Sequence, residues 1–408
     1  MKITNLSLAA IAAVAMTTGA MAGDGVDFKI GGQAVVYYQT IDGGDNDMFN
    51  QDGAKATAAL QLNLSSDLGN GFGMGLQGTA LNTFGLEKNL VAKTMQQGSG
   101  DLANADDYIA MTKAYLTKQV ANTTLKMGRQ ELPKSLSPLA FSENWNATKN
   151  TFDAIVAINS DLPDTTLVGA YVSRTNGNGF GNDMSTYTDL IPSKPDENGT
   201  VVGSAKKGAY MLTAANKSVA NVPITLSYYQ LPSTNLSAVW ADVQANKLGP
   251  VNVGLQGGSI MNGAAGAEDS QAVGAKVSGK FSGINATLAY SKVSVDGVGI
   301  QNVGTMNKTP LYTQMVANQG AIKSGNDTVL LKAVMPAGPG KLITQYGMTT
   351  DNSAAANDYN ELDLIYKFKA LGTNMLAAYV MQNTDKKTLA NNTDDTNNII
   401  RIWSRYNF

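Results

Sequence analysis

The sequence predicts an all-β protein, a transmembrane antiparallel β-barrel of about eighteen strands, with about sixteen as the alternative. Three observations carry this. Strand-length segments alternate apolar and polar residues, the connections between them alternate short and long, and the chain ends on an amphipathic strand closing at Phe408. A soluble sandwich also alternates. The strand number and the loop parity are what favour a barrel.

In chain order, Met1-Lys2 is a short basic start, Leu6 to Met16 is an apolar run, and Ala20-Met21-Ala22 is a small-residue cleavage site. This pattern predicts a signal peptide over 1–22, cut before Gly23. The run covers only about half of the ~20 residues that a spanning helix needs. The remainder, 23–408, reads as one barrel. Leu60, Leu62 and Leu64 alternate with Gln61, Asn63 and Ser65, a turn follows at 67–71, and Phe72, Met74 and Leu76 alternate with Gly73, Gly75 and Gln77. This is a hairpin with one apolar and one polar or small face. Val273, Ala275 and Val277 alternate with Gly274, Lys276 and Ser278. Leu362, Leu364 and Tyr366 alternate with Glu361, Asp363 and Ile365.

This reading places strands near 27–40, 54–66, 72–84, 107–118, 123–131, 150–160, 165–175, 206–216 and 222–231. The rest fall near 235–246, 250–261, 270–281, 284–295, 326–336, 340–350, 358–369, 373–383 and 397–408. Most reach the ~9–11 residues of a tilted membrane strand. Short turns such as 119–122, 282–283 and 370–372 alternate with long polar connections such as 41–53, 85–106, 132–149, 175–205 and 296–325. The connection near Pro232 is a short exception. Short periplasmic turns and long external loops are the plan of outer-membrane barrels. Phe72, Phe281, Tyr366, Phe368, Tyr406 and Phe408 share the outward face near the predicted periplasmic ends, as an interfacial aromatic girdle would.

Composition narrows the function classes. There is no Cys and no His. That removes disulfides, the usual zinc ligands and the Ser–His and Cys–His catalytic pairs. Carboxylates alone can still catalyse hydrolysis, but the expectation is a non-enzyme with no cofactor. Charged residues make up 15%, and loss of Lys2 takes the formal net charge from -2 to -3. That is too mild for a nucleic-acid partner. Asp42, Asp45, Asp47 and Asp52 are faint calcium candidates in the first loop. They lack a twelfth-position acidic ligand, so the ordinary reading is a solvated acidic loop.

The stretch 125–174 carries a family resemblance. Gly128-Arg129-Gln130 ends a strand, a Pro-containing loop follows, and Asn150-Thr151-Phe152-Asp153-Ala154 opens the next strand. It resembles the OprD-like porins, particularly the major outer-membrane porins of Campylobacter-type bacteria. The terminal strand resembles those recognised by the barrel-assembly machinery, with Phe408 and Tyr406 as the signal. The resemblance implies a Gram-negative outer-membrane location and an eighteen-stranded barrel, often a homotrimer. It also implies an inward-folded third loop, here 132–149, and passive diffusion of small hydrophilic solutes. Glu131, Lys134, Glu143 and Lys149, with Trp145, become constriction candidates. Lys126, Asp153, Arg401 and Arg405 join them from the wall. The family's arginine ladder is thin here, since the chain's arginines are Arg129, Arg174, Arg401 and Arg405. The acidic balance of the chain suggests a weak cation preference. The competing reading is a secreted or surface β-rich adhesin.

Overall fold

The computed structural model describes residues 27–94, 108–177, 184–190, 194–195, 201–202, 207–264, 266–295, 297, 299–352, 357–386 and 393–408. The expected signal peptide and its cleavage site lie outside these residues. Nine strands make the first half of the barrel: β1 (Phe28–Asp42), β2 (Ala54–Gly69), β3 (Phe72–Asn82), β4 (Tyr108–Val120), β5 (Thr123–Gln130), β6 (Phe152–Asn159), β7 (Thr165–Thr175), β8 (Ala209–Asn216) and β9 (Ile224–Leu231). Nine more complete it: β10 (Leu236–Leu248), β11 (Val251–Asn262), β12 (Ser270–Phe281), β13 (Ile284–Val293), β14 (Asn326–Ala337), β15 (Gly340–Asp351), β16 (Asn357–Ala370), β17 (Thr373–Lys386) and β18 (Thr393–Asn407). Each pairs antiparallel with its sequence neighbours. β1 pairs with β18, Val35 opposite Arg405, so the sheet closes and leaves no edge.

The alternation seen in the sequence becomes an inside and an outside. Leu288 and Leu331 are about half exposed on the outer wall, while Ala289 and Leu330, one residue away, are buried inward. In a strand this follows from the period of two. The turns at one end are tight, and the residue type tolerates them. Asn70-Gly71 takes φ 51° and 74°, and Ser282-Gly283 takes 47° and 86°. Two successive positive φ values match the right-handed twist of a hairpin. Phe72, Phe281, Tyr406 and Phe408 are exposed on the outer wall near these turns.

The last strand is held at its very end. The Phe408 N–H donates to Gly32 O at 3.1 Å, and the Gly32 N–H donates to Phe408 O at 2.8 Å. The Tyr406 and Phe408 rings lie 6.0 Å apart. The barrel interior is unevenly filled. A large apolar cluster lines the wall from β6 to β13, and side chains from the segments after β5 and β13, with Leu190 from the one after β7, complete it. Those segments form the site.

Candidate pore constriction

The third loop leaves β5 at Gln130 and rejoins the wall at Phe152. Its residues are too apolar to stay in water. Leu132, Leu139 and Ala140 pack on the inward faces of Val156, Val168, Tyr229 and Trp240. The loop then crosses toward β18. There Arg401 donates to Trp145 O at 3.4 Å, and Arg405 donates to Asn144 Oδ1 and Asn146 O. The loop therefore lies inside the barrel.

A second segment joins it, the seventh external connection, between β13 and β14, and this was expected outside. Ile300, Leu311 and Ile322 enter the same apolar cluster as the third loop. Burying them removes apolar surface from water, which a solvated external loop could not do. Two carboxylates of β16 fix the segment. The Val316 N–H donates to Asp363 Oδ2 at 3.2 Å, and the Ala317 N–H donates to Glu361 Oε1 at 2.9 Å. Tyr312 Oη donates to Asp242 Oδ2 at 2.6 Å on β10.

The two segments bond to each other directly. The Phe141 N–H donates to Asn302 Oδ1 at 3.0 Å, and the Val303 N–H donates to Leu139 O at 2.8 Å. Glu143 sits in this joint with 3% exposure. Its Oε1 accepts from Asn302 Nδ2 at 2.8 Å and from Thr305 Oγ1. Lys308 is buried beside it, its Nζ donating to Val316 O and Gln319 Oε1 at 2.7 Å each. Burial pushes Lys308 down to about 8, with Glu143 pulling the other way.

The expected eyelet residues thus divide. Glu131 is partly exposed and bridges Lys113 at 2.5 Å and Lys149 at 2.6 Å. Lys126 stands over the Tyr115 ring at 3.8 Å. Lys134 of the third loop donates to Thr309 O of the segment between β13 and β14 at 3.3 Å. Glu143 was expected to face the pore and instead ties the two loops together, because hydrogen-bond donors surround it. Asp153 was expected on the lumen parity and has the opposite one. It shares the face of exposed Ile155, while Ala154 and Val156 are buried inward. It pairs with Arg129 at 2.9 Å and Arg174 at 2.8 Å. The extra residue Ser173 in β7 at this point shifts the register. Arg401 and Arg405 face inward as expected, and their guanidinium groups bind Gln39 and the third loop. All four arginines of the chain are therefore engaged.

The first-loop aspartates do not gather. Asp42 accepts from Asn398 at 3.3 Å. Among the described residues no three metal-ligating side chains converge.

Sequence reasoning missed the lysines. Lys341 of β15 lies directly opposite Lys367 of β16, and Lys332 of β14 shares their inward parity. Like charges placed face to face across strands are destabilising. The acids that could offset them, Glu361 and Asp363, are 1% and 0% exposed beneath the docked segment. The alternation of the parent strands already showed the parity of these lysines.

Solved structures share the barrel fold. OccK1 (OpdK) of Pseudomonas aeruginosa superposes with a TM-score of 0.74 at 16% identity, over 94% of this chain and 98% of that one. This chain has their fold. OpdK solved with vanillate gives 0.75 at 15% identity over the same shares. Acinetobacter baumannii OccAB3 gives 0.73 at 14% identity, over 94% and 100%. No protein-family model matches the chain. No curated protein matches it either. The closed eighteen-stranded barrel expected from the sequence is thus shared with proteins of Gram-negative outer membranes, one of them solved as an outer-membrane protein.

Proposed function

We propose that the protein is an outer-membrane porin, a water-filled channel through which small hydrophilic solutes and ions diffuse, with a preference for anions such as carboxylates. The observation that carries the preference is the lysine group Lys332, Lys341 and Lys367 on the inner wall, with Lys341 opposite Lys367 and the nearby carboxylates Glu361 and Asp363 buried behind the seventh connection. Net charge summed over the whole chain points the other way, toward cations. Charges in open vestibules are screened within about 8–10 Å, so the wall outweighs the external loops. The structure of OpdK with vanillate, itself a carboxylate, supports the same solute class. The two inward segments supply the steric limit.

Three finer points belong to this reading. The stretch from Gly128 to Ala154 supports kinship with Campylobacter-type porins. The exposed rings of Tyr406 and Phe408 at the end of the last strand suit recognition by the barrel-assembly machinery. A trimer fits the outward groove over Ala34, Ala58 and Ala80, between Phe84 and Tyr406, where small side chains let a second barrel approach. Native mass spectrometry yielding only monomers would remove the trimer.

Liposomes carrying the purified protein should swell in small sugars and in sodium carboxylates. Carboxylates should enter faster than ammonium solutes of equal size. Absence of swelling sinks the channel, and equal rates sink the anion preference.

A further inference from the structure

The outer wall changes character at the external ends of β5 to β8. Met127, Ile155, Tyr171 and Tyr210 stand side by side in one row across these strands. Met127, Ile155 and Tyr210 are exposed on the outer face. The two tyrosine rings lie 5.3 Å apart. Tyrosines gather where the hydrocarbon of a membrane gives way to headgroups. The next row on the same face, toward the external ends, is Arg129, Asp153 and Arg174. It therefore stands at headgroup height.

Arg129 neutralises Asp153 by itself, with Nε 2.9 Å from Oδ1 and Nη2 3.4 Å from Oδ2. It is held in place by Met111 O, which accepts from Nη1 at 2.8 Å, and by the Tyr187 ring, 3.4 Å from its guanidinium carbon. Arg174 shares Oδ2 at 2.8 Å, and its side chain stays 53% exposed. Lys207 is exposed beside it, next to Gly208, where a Cβ would lie 3.1 Å from Ser173 Cα. A second carboxylate, Asp189, lies opposite Arg174. Arg129, Arg174 and Lys207 against Asp153 and Asp189 leave a surplus positive charge, on the exposed groups. The far side of the rim has the other sign: Asp358 lies opposite Asp385 at the external ends of β16 and β17.

We propose that the external rim of β5 to β8 holds an outer-leaflet lipid by a headgroup phosphate. Arg174 and Lys207 donate to the phosphate oxygens, and Arg129 keeps Asp153 from neutralising Arg174. The acyl chains lie on the wall below. Gly169 leaves a notch there, under Tyr171. A Cβ on it would meet nothing nearer than Leu212 Cδ2 at 3.7 Å, and Leu212 is exposed. The inference needs the barrel in its membrane and is independent of what the channel conducts.

Native mass spectrometry of the full protein in detergent, titrated with diphosphoryl lipid A, tests this. Arg174→Gln with Lys207→Gln should weaken lipid binding about tenfold or more, with heat-modifiable mobility retained. Lys207→Gln alone, in a connection and so without risk to a strand, should weaken it about threefold. Lys118→Gln removes the same charge at the periplasmic end of β4 and should change nothing. Lipid A stripped of both phosphates should bind the wild type no better than the intact lipid binds the double variant. Millimolar inorganic phosphate should leave the lipid in place. Equal binding by the wild type and both rim variants, an equal loss in Lys118→Gln, or equal binding of the two lipids overturns the phosphate contact. Displacement by inorganic phosphate assigns the site to a free anion and overturns the lipid.

Discussion

The third and seventh connections both fold into the barrel, but opposite charges hold them. Cations of β18, Arg401 and Arg405, grip carbonyl and amide oxygens of the third loop at residues 144–146. Carboxylates of β16, Glu361 and Asp363, grip backbone N–H groups at 316 and 317. Each loop end leaves bare backbone groups of one polarity, and the wall supplies the other. A lumen charge can therefore be spent on holding a loop, and only the remainder reaches the solute. Here the remainder is the lysines of β14 to β16.

The largest effect should come from the carboxylate anchors. Glu361→Ala with Asp363→Ala leaves two backbone N–H groups bare, at about 1–3 kcal/mol each if they stay buried. The seventh connection should come loose, raising single-channel conductance while heat-modifiable mobility shows the barrel intact. An unchanged conductance would mean that the apolar cluster alone holds the segment. The cation anchors should matter less. Arg401→Met with Arg405→Met frees residues 144–146, yet Leu132, Leu139 and Ala140 remain packed on the wall. Added open-channel noise with a smaller conductance change is expected. A conductance rise larger than that of the carboxylate pair would reverse the comparison.

Glu143→Gln sharpens the point at the joint between the loops. It keeps the shape and weakens a charge-assisted acceptor by about 1 kcal/mol. Noise should increase and ion selectivity should stay the same, because Glu143 does not face the solute. A shift of the reversal potential would return it to the pore lining.

A change of pH acts on the buried lysines of the docked segments. Burial pushes both Lys308 and Lys134 down to about 8. Undocked loops would return them to the ordinary lysine value of about 10.4. Between these two values the undocked form binds more protons, so docking is weakest below about pH 8 and firms as pH rises through the window. Channel noise should be lower at pH 10 than at pH 7, and the opposite trend would contradict the buried placement of these ammonium groups.

Much of this was legible in the sequence. Alternation and loop parity located all eighteen strands, because a period of two and a fixed membrane thickness leave little freedom. The inward third loop followed from the resemblance around Gly128 and Asn150. The seventh connection was read as polar because its Asn, Gly and Thr residues hide Ile300, Leu311, Met315 and Ile322, which follow no regular period. Parity placed Asp363 inward correctly, yet parity cannot say whether an inward residue meets water or a docked loop. Asp153 was misplaced because the run Ala154-Ile155-Val156-Ala157-Ile158 is apolar on both faces, so the sequence does not show which of them meets lipid. Glu143 shows the general difficulty: its partners Asn302 and Thr305 lie some 160 residues away.

The central claim is that uncommitted wall lysines, and not net charge, set what passes. The reversal potential across a planar bilayer under a potassium chloride gradient tests it most directly. The wild-type protein should favour chloride, and Lys341→Glu with Lys367→Glu should move the potential toward potassium. A wild-type channel that favours potassium, or a double variant with an unchanged potential, would contradict the account.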